Sequence, residues 1–150
     1  MQSVLITGAA GDIGTRLRKL LLGAYPHIRS SDIRTPPDLA PGDDFIAADL
    51  ADGEQVRTIV EGVEGIVHLG GFSVEGDWDT IHRANIVGCY TLFEAAYRAG
   101  VKRVVFASSN HAVGFYPRSR RTGVDVTVRP DSRYGVSKAF GEALGALYSD

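Results

Sequence analysis

One cysteine, Cys89, is all the 150-residue chain contains. A lone thiol excludes an internal disulfide and any thiolate-rich metal centre, and it suits a reducing compartment. The four histidines, His27, His68, His82 and His111, lack ligand spacing, so no metal site is expected. Charge of one sign is scarce as well. A formal net charge of −2 creates no field that would draw nucleic acid or an acidic membrane surface. No uncharged apolar run reaches the length of a bilayer span. The opening MQSVLITGAAG has no basic leader followed by a long apolar stretch. The expectation is a cytoplasmic protein with neither a membrane nor a nucleic acid among its partners.

What is present points to a folded domain. Hydrophobic residues make up 44% and charged residues 23%, the balance of a chain able to bury a core. Three apolar runs rich in β-branched residues, SVLIT (3–7), GIVHLG (65–70) and RVVFAS (103–108), read as parallel strands covered on both faces. HIRSSDI (27–33) and DFIAADL (44–50) are weaker candidates for two more.

Helical patterns fill the gaps between these strands. Residues 13–23 place Ile13, Leu17, Leu20 and Leu21 on one stripe, closed by Gly23. Asp52, with Gln55 three residues on, predicts a capping box. A long helix ends at Gly100, and SRYGVSKAFGEALGALY (132–148) forms the last. Strands alternating with helices predict an α/β fold, a Rossmann-like doubly wound parallel sheet. Residues 34–43 and 111–131 remain as loops, and a loop as long as the second is commonly functional.

TGAAGDIG sets Gly8, Gly11 and Gly14 directly after the first strand, with Asp12 and Ile13 opening the first helix. Glycines there let the backbone approach a pyrophosphate lying on the helix N-terminus. Asp32 follows Gly14 by 18 residues, near the end of the second strand. It reads as the acceptor for both ribose hydroxyls of an adenosine or as a loop aspartate. Arg29 and Arg34 flank it and offer a place for a 2′-phosphate instead. Asp49 reads either as an adenine contact or as a helix-entry residue beside Asp52.

At the other end of the chain, YGVSK puts Tyr134 and Lys138 one helical turn apart on a shared face, beside Gly135. An ammonium held near a phenol favours the phenolate, which suits a general base. Ser109 follows the fifth strand, and the carboxyl ends of strands are where doubly wound sheets bind ligands. There it would hydrogen-bond the reacting oxygen while Tyr134 takes the proton. Asn85 reads as part of a proton relay or as a satisfied polar core residue. His111 reads as a neutral donor to a substrate oxygen or as a packed loop side chain.

Taken together, the TGAAGDIG turn, DL at 49–50, VHLGG after the fourth strand, Asn85, Ser109, Tyr134 and Lys138 resemble the extended short-chain dehydrogenase/reductase family. More narrowly, GIVHLGGFSVEG, FASSNHAVGFYP and RPDSRYGVSKAFGE are similar to the uronate dehydrogenases within it. The resemblance implies NAD-dependent oxidation of glucuronate or galacturonate at C1 to the aldarolactone. It places Ser73, Ser109, Asn110, His111 and Tyr134 around the sugar acid. It places Asp32, Asp49, Leu50, Leu69, Gly70, Tyr134 and Lys138 around the NAD. Members of that family continue past the helix matched by 132–148, so residues 1–150 correspond to an incomplete NAD-binding Rossmann domain, and no arginine for the uronate carboxylate is identifiable.

Two other readings stay open within the same resemblance. One is a nucleotide-sugar epimerase or dehydratase; the SSNH sequence at 108–111 argues against it. The other, for these residues alone, is a non-catalytic dinucleotide-binding module. The resemblance also implies a homo-oligomer built on helices 77–99 and 132–149. On these Ile86, Leu92, Phe93, Ala96, Val136, Phe140, Ala143 and Leu147 offer apolar faces, while Gly141 and Gly145 allow close approach.

Overall fold

Five strands, β1 (Ser3–Thr7), β2 (His27–Asp32), β3 (Asp44–Ala47), β4 (Gly65–His68) and β5 (Arg103–Phe106), form one sheet in a computed structural model that describes residues 1–149. All pairs are parallel, in the order β3-β2-β1-β4-β5. The chain order reverses beside β1, which creates the crevice where doubly wound sheets hold ligands. The register lines up the strand ends. Thr7 pairs with Ser31 and His68, Asp32 with Ala47, and His68 with Phe106. Whatever follows each of these residues therefore meets along one rim.

The helices are α1 (Asp12–Leu20), α2 (Gly53–Val60), α3 (Trp78–Ile81), α4 (Gly88–Arg98) and α5 (Arg133–Ser149). Right-handed crossovers put α1, leading from β1 to β2, on the opposite face from α2 and α4. Leu5 and Ile66 of the sheet close the main core with Val56, Ile59 and Val60 of α2 and Leu92, Ala95 and Ala96 of α4. A second cluster joins Cys89 and Phe93 of α4 to Leu144 of α5. No helix among the described residues is long and apolar enough to cross a membrane.

Several local expectations need correcting. On α1, Ile13 and Leu20 are 65% and 77% exposed, and the buried positions are Gly14 and Arg18. A Cβ at residue 14 would collide with the Gly8 carbonyl oxygen, so the helix packs along its Gly14–Arg18 edge. Arg18 tolerates that burial by donating to the Ala9 carbonyl at 3.3 Å and pairing with Asp38. β1 matches its run at 3–7, whereas β2, β3, β4 and β5 are shorter than theirs because the chain leaves the sheet at the rim. β5 is not covered on both faces: Val105 is 55% exposed, and the strand pairs only with β4 among the described residues.

The long helix is interrupted by a π-helical segment, His82–Val87, between α3 and α4. Asp52 caps α2 by accepting from the Glu54 and Gln55 amides at 3.0 and 3.2 Å. The Gln55 side chain, however, donates to the Asp52 carboxylate at 2.9 Å and accepts from the Asp49 amide at 2.8 Å, while the Asp52 amide turns to the Asp49 carbonyl instead of closing the box. Leu92, Phe93 and Ala96, expected on an assembly face, lie in the core. Gly141 serves to seat the Phe106 ring. The large apolar groups left outward on these helices are Trp78, Tyr90, Tyr97, Val136 and Leu147.

Candidate active site

The phosphate turn is backbone meeting backbone. Gly8 has φ of +69°, and a Cβ there would lie 2.7 Å from the Leu69 carbonyl carbon and 2.8 Å from the Gly70 amide. The turn after β1 thus touches the turn after β4. Gly11 caps α1 with no side-chain acceptor, so nothing from the chain's own caps covers the first-turn amides of Asp12, Ile13 and Gly14. Such a row of free N–H groups at the positive end of a helix dipole fits a pyrophosphate, and the missing Cβ atoms leave room for it.

Asp32 sits beside this turn. One carboxylate oxygen accepts from the Ala10 amide at 3.0 Å and the other from the Arg34 amide at 3.1 Å. These bonds aim the carboxylate across the rim and leave lone pairs for a ribose diol. Arg29 does not reach it. Its guanidinium donates to the Ile59 and Glu61 carbonyls and pairs with Asp44 at 3.0 Å. Of the two arginines that could have met a 2′-phosphate, only Arg34 flanks Asp32.

Asp49 both pins its turn, accepting from the Ala51 amide at 2.9 Å, and pairs with Arg83 at 2.5 Å. The Ala51 bond first, then Arg83, hold its carboxyl below the usual range. Leu50 packs against Gly70.

His68 supports this floor from beneath. Its Nδ1 lies 2.8 Å from the Thr7 hydroxyl, which accepts from the Gly70 amide at 3.2 Å. Burial, aided by the charge of Lys138, pushes the imidazole down to about 3, so the ring is neutral.

Across the rim, Lys138 is 8% exposed and donates to the Ala107 carbonyl, just after β5, at 2.8 Å. Its Nζ stands 5.4 Å from the centre of the Tyr134 ring and 4.9 Å from that of Phe106. Burial lowers its pKa from the usual lysine range. No carboxylate pairs with it among the described residues; the nearby groups able to become an anion are the Tyr134 phenol and the Cys89 thiol, and burial pushes that thiol up to about 12.

Gly135 explains the rest of the YGVSK pattern. A Cβ there would collide with the His111 carbonyl oxygen, so glycine lets α5 press against the 3-10 turn Asn110–Val113. Ser109 caps that turn, its hydroxyl accepting from the His111 amide at 3.2 Å. Asn110 lies beside it, exposed. The His111 ring meets the Tyr134 ring edge-on, with centroids 5.8 Å apart.

Tyr134 is tethered by its own main chain as well. Its amide donates to Glu75 at 3.0 Å, and its carbonyl accepts from the Ser137 hydroxyl at 2.7 Å. Ser137 accepts in turn from Asn85 at 3.0 Å. Asn85 also accepts from the Phe72 amide at 2.7 Å and donates to the Phe72 carbonyl at 3.0 Å. Both routes lead to segment 72–75, which carries the exposed Ser73. Both amide hydrogens of Asn85 are thus donated within the protein.

Glu75 was invisible in the sequence. It lies 59 residues from Tyr134 in the chain, caps α5 and pairs with Arg133 at 3.0 Å. The bond from the Tyr134 amide, first among its causes, holds its carboxyl below the usual range. Asp131 was missed for the same reason; it accepts from His111 at 2.8 Å. No local pattern marks either acid. No group of His, Cys, Asp and Glu able to hold a metal occurs among the described residues.

Comparison with known proteins bears on this arrangement. The chain is 46% identical over its whole length to the uronate dehydrogenase of Agrobacterium fabrum, and covers 57% of that protein. It is 45% identical over 98% of its length to the Pseudomonas putida uronate dehydrogenase, and covers 55% of it. The chain therefore spans about half the length of the curated relatives it matches. Among solved structures, a mutant of the Agrobacterium tumefaciens uronate dehydrogenase complexed with NAD superposes with a TM-score of 0.94 at 45% identity. That match covers 99% of this chain and 56% of the other. The profile of the NAD dependent epimerase/dehydratase family matches residues 4–150. The chain belongs to that family, within the extended short-chain dehydrogenases/reductases.

Proposed function

We propose that this chain carries the cofactor-binding and proton-transfer residues of an NAD-dependent dehydrogenase that oxidises a uronate at C1 to the aldarolactone. The observation that carries the reading is the placement of Lys138, buried and unpaired by any carboxylate, beside Tyr134 at the end of β5. The substrate class is supported by the uronate dehydrogenases among the relatives, and the cofactor by the glycine cradle and Asp32.

Each residue then has a role. The first-turn amides of Asp12, Ile13 and Gly14 take the pyrophosphate, Asp32 the adenosine ribose, and Asp49 and Leu50 the adenine. Leu69 and Gly70 form the floor beneath the dinucleotide. Ser109 donates to the oxygen on C1 while Tyr134, as phenolate, takes the hydroxyl proton. Lys138 stabilises that phenolate and bonds the nicotinamide ribose. C1 loses its hydride and becomes the lactone carbonyl; the bound nicotinamide supplies the hydride acceptor. Ser73, Asn110 and His111 hold the sugar, and Asn85 acts as a positioning residue through Phe72 and Ser137.

The test is NADH formation by the full-length protein from glucuronate and from galacturonate. Turnover of either supports the reading; an intact enzyme idle on both overturns it. NAD should be preferred to NADP, because an aspartate carboxylate opposes a 2′-phosphate by about 4 kcal/mol per charge pair at 4 Å and an effective dielectric of 20, less where solvent screens it. The reading extends to a cytoplasmic protein, in line with the lone buried cysteine of these 150 residues, and to a homo-oligomer joined through helices 77–99 and 132–149. The exposed apolar groups on those helices are Trp78, Tyr90, Tyr97, Val136 and Leu147. Sedimentation at micromolar concentration checks the assembly, and a monomer removes it.

A further inference from the structure

His111 stands between the reacting tyrosine and an acid to which no role has been given. Its Nδ1 lies 2.8 Å from a carboxylate oxygen of Asp131, 20 residues along the chain. That acid is itself firmly seated. The same oxygen accepts from the Ser132 hydroxyl at 3.0 Å, and Ser132 in turn accepts from the Gly135 amide at 2.9 Å. The other oxygen occupies the space over Gly114 that any Cβ would fill. The Asp131 amide donates to the His111 carbonyl at 3.3 Å, closing the loop on itself. The bond from His111 is the leading reason that the Asp131 carboxyl sits below its usual range. It is an ionised group, which can only accept.

We propose that Asp131 is a positioning residue of this site: it fixes neutral His111 as the Nδ1–H tautomer, so that Nε2 meets the substrate as an acceptor for a sugar hydroxyl. The argument is one of proton counting. A carboxylate cannot donate, so the hydrogen of the short contact belongs to Nδ1. Neutral imidazole has a single N–H, which leaves Nε2 with a lone pair. Nε2 makes no hydrogen bond among the described residues, while the ring packs against Tyr134. This reverses the donor role expected for a neutral His111 from the sequence. It also predicts what the side chain selects: a hydroxyl, which has a hydrogen to give, rather than a carboxylate or carbonyl.

The role given to the sugar rests on the proposed function; the tautomer does not. The experiment is long-range proton–nitrogen NMR on full-length protein with nitrogen-labelled histidine, at a pH where the ring is neutral. His111 is identified by the signal lost in His111→Asn. The expected result is an Nδ1–H pattern for wild type and a shift towards Nε2–H in Asp131→Asn, whose amide is able to donate to Nδ1. In the same variant the KM for uronate should rise by about tenfold, since the wrong tautomer meets the substrate, while that for NAD stays unchanged. Wild-type His111 found as Nε2–H overturns the proposal, whether or not the variant folds. An unchanged tautomer and unchanged KM in Asp131→Asn overturn it too. A wild-type enzyme idle on uronates would sink the proposed function and leave the tautomer result standing.

Discussion

The two halves of the rim are built by different means. The half around Gly8, Gly14 and Asp32 is made of main chain: a turn, free amides at a helix start, and a carboxylate aimed by two neighbouring N–H groups. The half around Tyr134 is made of side chains that reach across the fold, Glu75 and Asn85 on one side and Ser137 and Lys138 on the other. A dinucleotide offers phosphates and a diol, which backbone groups can read. Proton transfer from a sugar needs a particular group held at a particular place, and one loop after another is recruited to hold it.

That contrast can be broken one half at a time. The largest effect should come from Tyr134→Phe, which keeps the ring and removes the proton acceptor. Turnover of uronate should fall about 10²–10⁴-fold, with NAD binding still detected by fluorescence titration. Turnover near the wild-type level would refute the assignment of the base. The converse is Gly14→Ala. The added methyl collides with the Gly8 carbonyl oxygen, an overpacking that costs about 1–3 kcal/mol and displaces the amides of the first helical turn. NAD binding should weaken by at least tenfold in the same titration, about 1.4 kcal/mol. Unaltered affinity would show that the cradle is not where the cofactor lies.

A smaller effect sharpens the comparison. Glu75→Gln keeps an oxygen for the Tyr134 amide but loses the charge that pairs with Arg133. The kcat should drop severalfold while the KM for NAD holds, because the change touches only the catalytic side. Loss of NAD affinity in this variant would mean that the two halves are not separable.

These predictions also mark what could be read without coordinates. The placement of Gly8, Gly11, Gly14 and Asp32 on one rim was legible because it depends on position along a strand and its following turn, which is local information. Tyr134 and Lys138 were legible through a helical repeat, and Gly135 stood beside them as a clue whose meaning needed His111. Glu75 and Asp131 were not, since an acid that caps a distant helix or orients a distant imidazole leaves no spacing to find. The apolar stripe through Ile13 and Leu20 misjudged the buried edge of α1: the guanidinium of Arg18 is buried there because Asp38 and the Ala9 carbonyl receive it. Arg29 looked available for a phosphate until α2 was seen to end on it.

A separate effect, on stability rather than turnover, concerns His68 beneath the floor of the site. In the folded protein it remains neutral down to about pH 3, whereas the unfolded ring takes a proton near pH 6.5. Below that upper value the unfolded state binds more protons, so stability is full above it and declines as the pH falls towards the lower one. The slope approaches about 1.4 kcal/mol per pH unit for this one group. Urea midpoints compared at about pH 7 and about pH 5 should differ less in His68→Gln than in wild type. An equal loss in both proteins would remove His68 as the cause.

The outer margin of β5 has a practical consequence for all such measurements. Beyond Val105 and Phe106 the strand offers a row of peptide groups without a neighbouring strand among the described residues, next to a half-exposed valine. A bare margin of this kind is adhesive, and two copies of these residues brought together can zip along it. A preparation limited to residues 1–150 would then gain mass with concentration by a route unrelated to the outer faces of α4 and α5. A lysine in place of Val105 should suppress that stickiness and leave any helix-mediated assembly in view.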